Sequence, residues 1–133
     1  MSIRAEGTFE VTSQGEPPYD TADGVVLGRT SLTKQFSGGL DATSTVQMLA
    51  AATPVPGSAG YVALERVFGR LAGRSGSFVL QHTGWMRGDE MHLSVTVVPD
   101  SGTGELQGIS GTMTITVGAD GSHSYEFDYK LGS

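Results

Sequence analysis

The chain of 133 residues contains no cysteine. This excludes a disulfide framework, a thiolate metal site and a cysteine nucleophile, and it suits a reducing compartment. Basic residues are scarce, with 8 Lys plus Arg against 14 Asp plus Glu and a net charge of -6. A binder of phosphate backbones needs the opposite sign, so nucleic acid is not an expected partner. No apolar run approaches the roughly 18 residues of a membrane span. The start, Met1-Ser2-Ile3-Arg4-Ala5-Glu6, lacks the apolar stretch of a secretory signal. The expectation is therefore a soluble, cytoplasmic protein with no membrane partner. Helical patterning is missing too, because no long window carries a clean 3.6-period stripe with caps.

Glycine is abundant instead, at 20 residues, about twice the usual share and without a collagen period or low-complexity tract. It marks turns between segments that alternate with period 2. The first such segment, 3–12, sets Ile3, Ala5, Gly7, Phe9 and Val11 on one face and Arg4, Glu6, Thr8, Glu10 and Thr12 on the other. Further strands are expected at 25–36, 43–52, 60–68, 77–86, 90–98, 111–117 and 122–131, although Ala50-Ala51-Ala52 also fits a helix. Pro17, Pro18, Asp20, Asp23 and Gly24 make 13–24 an acidic loop. The fold class is all-β, one domain over 1–133, and eight antiparallel strands at this spacing make a closed barrel or a sandwich.

Two stretches share the pattern G-x-L-x-G-x-S-G at an offset of 35 residues: Gly69-Arg70-Leu71-Ala72-Gly73-Arg74-Ser75-Gly76 and Gly104-Glu105-Leu106-Gln107-Gly108-Ile109-Ser110-Gly111. Each reads as a tucked corner between consecutive strands, with one Leu plugging an end of the core. A phosphate-cradling loop is disfavoured, since neither copy matches the glycine spacing of a nucleotide site and no Lys is near.

Hairpin registers then assign faces. A two-residue turn at Arg87-Gly88 pairs Leu80 with Val95 and Phe78 with Val97. This puts His82 on the apolar face and His92 on the other, so the two cannot chelate one ion. A three-residue turn at Ala119-Asp120-Gly121 pairs Val117 with His123, Ile115 with Tyr125 and Met113 with Phe127. Carrying the inward phase of 95 and 97 back by 35 residues turns Val62, Leu64, Arg66 and Phe68 inward and Glu65 outward. The expected interior is Phe9, Val62, Leu64, Phe68, Phe78, Leu80, Met91, Leu93, Val95, Val97, Met113, Ile115, Tyr125 and Phe127, entered by Arg66 and His82. In the inverted phase, Glu65 and Gln81 would be the interior polar pair.

These placements nominate His82, Arg66 and Glu65 as candidate catalytic residues. They nominate Arg66, His82, Tyr125, Phe78, Leu93 and Gln81 as candidate ligand contacts. Histidine is the side chain whose unperturbed pKa lies nearest neutrality, so His82 is the natural general acid or base, or else a hydrogen-bonded core residue. A buried Arg66 needs a carboxylate, a ring of carbonyls or a bound anion, or else it snorkels to the barrel mouth. Arg66, Arg70, Arg74 and Arg87 fall in a stretch free of Asp and Glu. That stretch is a solvated face, or a site for an anionic ligand or for the acidic residues 6–23 of a second copy. No Ser-His-Asp, H-E-x-x-H or EF-hand spacing occurs, and no metal or cofactor is expected.

The segment from Tyr61 through Gly84, with Gly7-Thr8-Phe9-Glu10-Val11 and Val98-Pro99-Asp100-Ser101-Gly102-Thr103-Gly104-Glu105-Leu106, resembles the bacterial family known as domain of unknown function 3224. The resemblance spans nearly the whole chain and departs from the family pattern at Gln47-Met48-Leu49, where an acidic residue is expected. It implies an eight-stranded barrel similar to allene oxide cyclase and the dirigent proteins, enclosing an apolar cavity and often oligomeric, and it implies no reaction. The functional expectation is a barrel that binds a small apolar ligand, with a cyclase or isomerase acting by conformational templating as its enzymatic form. The alternative is a non-catalytic barrel with a filled core that forms homo-oligomers or protein contacts through Trp85 and exposed edges.

Overall fold

Alternation carries the chain further than its turn residues suggest. In the computed structural model, which describes residues 2–132, the strands are β1 (Ile3–Gly15), β2 (Val26–Gly38), β3 (Leu40–Ala52), β4 (Ser58–Leu71), β5 (Arg74–Arg87), β6 (Glu90–Val97), β7 (Ser110–Val117) and β8 (His123–Lys130). Each strand pairs with the next in sequence, and β8 returns to β1, closing an eight-stranded antiparallel barrel. β3 runs as strand through the Ala triplet to Ala52. The acidic loop shrinks, because β1 continues to Gly15 and a short 3-10 turn occupies Ala22–Gly24.

The registers fix the stagger. From Gln14 they lead through Ser31, Gln47, Leu64, Gln81, Thr96, Thr112 and Asp128 to Arg4, ten residues before the start. Such a stagger over eight strands corresponds to a strand tilt of about 40°. One end of the barrel gathers the tight turns at 38–39 and 72–73 and the connection 98–109. It is plugged by Leu40, Leu71, Leu106, Ile109, Phe127 and Tyr129, all buried. Phe78 stacks on Phe127 there with ring centroids 5.5 Å apart. The opposite end, reached by the longer halves of β1–β5, is open.

The β7–β8 register is the expected one, with Val117, Ile115 and Met113 opposite His123, Tyr125 and Phe127. The β5–β6 register differs. Arg87 pairs with Glu90, so Leu80 faces Val97 and His82 faces Val95. The turn has moved by one residue to Gly88-Asp89 because Gly88 takes the positive φ of 61°. Pairing shifts by two, so the faces survive.

β4 overturns its expected phase. Ala63, Glu65 and Val67 are buried, whereas Val62, Leu64, Arg66 and Phe68 face outward. The 35-residue offset fails as a guide because the two repeat copies are different connectors. The first is a two-residue hairpin at Ala72-Gly73 that leaves Leu71 in line with Val67 and Glu65. The second follows an irregular loop in which Asp100 takes φ 63°, and this resets the alternation before the 3-10 turn Gly104–Leu106. Only the second copy is a tucked corner, but both leucines are sealed as plugs. Met91 and Leu93 share the inward phase of Val95 yet lie exposed at the open end.

Candidate functional site

Four consecutive strands each turn one polar side chain into the barrel. Lys34 of β2 pairs in register with Ser44 of β3, and Ala63 of β4 pairs with His82 of β5, so Glu65 of β4 sits among the three. Glu65 is fully buried, and Ser44, His82 and Lys34 are nearly so. One Glu65 oxygen, Oε1, lies 2.7 Å from His82 Nε2 and accepts from Lys34 Nζ at 3.2 Å. The other, Oε2, accepts from Ser44 Oγ at 2.6 Å. Lys34 Nζ also lies 4.8 Å from the Phe9 ring centroid and 5.8 Å from that of Phe36, within cation–π range.

Burial alone would push the Glu65 carboxyl up. The hydrogen bond from His82, the Lys34 charge and the hydrogen bond from Ser44 together outweigh it and hold the carboxyl below its ordinary value. Glu65 is therefore ionised, and an ionised carboxylate only accepts. His82 Nε2 must carry the proton of the 2.7 Å contact, so Nδ1 is the ring nitrogen left for a ligand. Among the described residues Nδ1 has no protein partner, and no sealed side-chain nitrogen or oxygen lacks one. Nδ1 therefore keeps contact with accessible space.

The open end begins one layer above. Tyr61 and Gly84 are the next inward residues after Ala63 and His82, and they pair with each other. Gly84 has no side chain because a Cβ there would meet the Tyr61 ring, whose Cζ would lie 2.9 Å away. The ring thus lies flat against β5 and leaves a pocket of about 140 Å³ beside it. Its inward-facing lining is Met48, Ala50, Tyr61, Met86, Met91 and Leu93, with Trp85 at its edge. Trp85 stacks on His92, ring centroids 4.1 Å apart. Half-burial raises the Tyr61 phenol above its ordinary value, so it stays protonated, and it makes no side-chain hydrogen bond among the described residues.

Of the residues nominated from sequence, His82 and Glu65 come together and Leu93 lines the pocket. Arg66 does not join them: it lies outward on β4, for the reason of phase given above. Gln81 is also outward, so the interior partner of Glu65 is His82 and not Gln81. Gln81 borders a wide depression of about 530 Å³ with Arg29, Gln47, Leu49, Val62 and Leu64, which Ala63 and His82 also line, whereas neither of these two lines the smaller pocket beside Tyr61. Phe78 and Tyr125 are sealed structural residues. The Tyr125 hydroxyl accepts from Leu40 N at 2.9 Å and donates to Ser37 O at 2.9 Å, pinning the β2–β3 turn. Sequence reasoning missed Lys34, Ser44 and Tyr61. The signal for Lys34 was the run Leu32, Lys34, Phe36, whose period of 2 puts the amine on the apolar face.

Among the described residues no cluster of three His, Cys, Asp or Glu is placed to hold a metal ion, and no helix is long and apolar enough to cross a membrane. A family model described as a protein of unknown function, DUF3224, matches residues 5–129. A crystal structure of a DUF3224 protein of unknown function from Shewanella oneidensis MR-1 superposes with a TM-score of 0.94 at 48% identity, covering 100% of both chains. No curated protein matches the chain.

Proposed function

The chain belongs to the DUF3224 family, whose description assigns no role, and we propose that it binds a small apolar molecule in the open half of the barrel and isomerises it by proton transfer through His82. The observation that carries this reading is the 2.7 Å contact between His82 Nε2 and the ionised, buried Glu65. A carboxylate behind one imidazole nitrogen fixes the tautomer and stabilises the imidazolium formed when the other nitrogen takes a proton. The pocket of about 140 Å³ is close to the cavity size that accepts a benzene ring. Tyr61 supplies a hydroxyl for the ligand's one oxygen. In a β,γ-unsaturated ketone that reaches from the pocket past Tyr61 to His82, one inward position below the pocket lining, His82 Nδ1 would take the proton between carbonyl and alkene while Tyr61 donates to the dienolate oxygen. The same proton returned at the γ-carbon completes the shift, so no co-reactant is consumed.

The test uses cyclohex-3-enone, whose conversion to the conjugated isomer is followed by ultraviolet absorbance, and benzyl alcohol, whose binding is followed by fluorescence of Trp85. Wild-type protein is expected to speed the isomerisation, and His82→Gln to lose about 10²-fold or more of that rate while binding benzyl alcohol unchanged. Acceleration that survives in His82→Gln would sink the catalytic role, and absence of benzyl alcohol binding would sink the pocket.

A second reading has its own observation. Leu49, Val62 and Leu64 stand exposed together on the outer face of β3 and β4. Contiguous apolar surface of this kind suits contact between copies of the chain or with another protein.

A further inference from the structure

The barrel wall is unevenly sewn. β1 to β5 carry 13 or 14 residues each, whereas β6, β7 and β8 carry 8. Seven of the eight strand boundaries are zipped over long registers, but β6 and β7 share a single pair, Thr96 with Thr112. Below that pair the connection between them is tied to β5. Thr103 N donates to Ser77 O at 2.8 Å, Val79 N donates to Ser101 Oγ at 3.0 Å and Ser75 N donates to Glu105 Oε1 at 3.0 Å. Above it, among the described residues, β6 is ladder-paired with β5 and β7 with β8, and no further pair joins β6 to β7.

The unzipped part borders the pocket. Met91 and Leu93, on the inward face of β6, line it. Continuing the Thr96–Thr112 register upward would set Met91 opposite Val117 on the inner side and Ser94 opposite Thr114 on the outer side. Met91 and Val117 are 71% and 63% exposed, far more than an inward-facing apolar residue of a closed wall. Resting on the pocket reading above, we infer that the gap between β6 and β7 is the second half of the ligand site and takes a linear apolar chain. One end of the ligand fills the pocket and its methylene tail leaves the barrel sideways between Met91, Leu93 and Val117. A pocket of about 140 Å³ has no room for such a tail, and the stretch above Thr96 and Thr112 is the part of the wall without ladder pairing.

The absence of native cysteine makes the test clean. The Ser94→Cys/Thr114→Cys variant staples the gap from outside, and Trp85, the chain's one tryptophan, reports binding of decan-1-ol and benzyl alcohol. The reduced variant is expected to bind both. Oxidation should weaken decan-1-ol by about tenfold or more, the equivalent of about two methylenes leaving their contacts, and leave benzyl alcohol within about twofold. Val117→Glu needs no disulfide and is tolerated at an exposed position. It sets a carboxylate in the path of the tail and should reproduce the same split. Equal decan-1-ol affinity in the reduced, oxidised and Val117→Glu proteins overturns the inference while benzyl alcohol binding leaves the pocket standing. Failure of benzyl alcohol to bind any form overturns the pocket, and the gap with it.

Discussion

Glu65 concentrates the electrostatics of this barrel. Its two oxygens serve an amine, an imidazole and a hydroxyl, so removing its charge leaves Lys34 buried without a counterion. Glu65→Gln is expected to cost about 3–5 kcal/mol in urea unfolding, and adding Lys34→Met should recover much of that, because two well-packed neutral residues replace a broken ion pair. The same carboxylate sets an acid limit. Its folded value lies below the reference of 4.5, so the unfolded chain binds the proton more readily. The stability it contributes is fully present above that reference and is lost as pH falls through the folded value. The urea midpoint of the wild type should therefore drop below about pH 4.5, and that of Glu65→Gln should be flatter there. Parallel acid slopes for the two proteins would show that Glu65 does not carry the effect.

At the scale of elements, the two copies of the glycine motif turn out to be neighbours that close one corner together. A Cβ on Gly76 of the first copy would run into the carbonyl oxygen of Thr103 and lie 3.3 Å from Leu106 Cβ of the second, whereas Gly73, at the hairpin tip, has nothing within 4 Å. Gly76→Ala must displace the connection that Thr103 and Ser77 hold, and thermal unfolding should show a loss of about 1–3 kcal/mol. Gly73→Ala meets only the strain of its φ of 84°, about 1 kcal/mol, and a larger loss there than at Gly76 would contradict the packing argument. This corner also marks where the sequence stopped being legible. β1 and the β7–β8 hairpin alternate cleanly, so the faces of β1 and the pairing within the hairpin follow from pattern and turn chemistry. β4 is apolar on both faces, with Ala63 and Val67 inside and Val62, Leu64 and Phe68 outside. Period 2 finds a strand there but has no contrast from which to take its phase. Of the four residues in the site, His82 is set on the inner face by the β5–β6 alternation, which survives the shift of register by two, while Lys34 and Ser44 join it only through pairings among β2, β3 and β4 that no single turn encodes.

At the scale of the molecule, the outside of the barrel is two-sided. The outer face of β3 and β4 shows Leu49, Val62, Leu64 and Phe68, while β1 and β8 show Glu6, Glu10, Glu126 and Asp128, with Arg4 bound to the last two at 2.8 Å each. If the apolar side joins copies of the chain, sedimentation should find an oligomer for the wild type and a monomer for Leu64→Glu, with the melting temperature of the folded monomer little changed. A wild type that sediments as a monomer would remove that second reading. The closure of the barrel has a kinetic meaning as well. Every other boundary joins strands adjacent in sequence, but β1 meets β8 by pairing Ile3 with Tyr129 and Phe9 with His123. Contacts between chain ends carry the largest loop-closure entropy of any in the molecule. The seven-step meander can thus assemble locally as a curling ribbon, the meeting of β1 and β8 is expected to come last, and the two strands lie side by side as a natural place to splice and recut the chain.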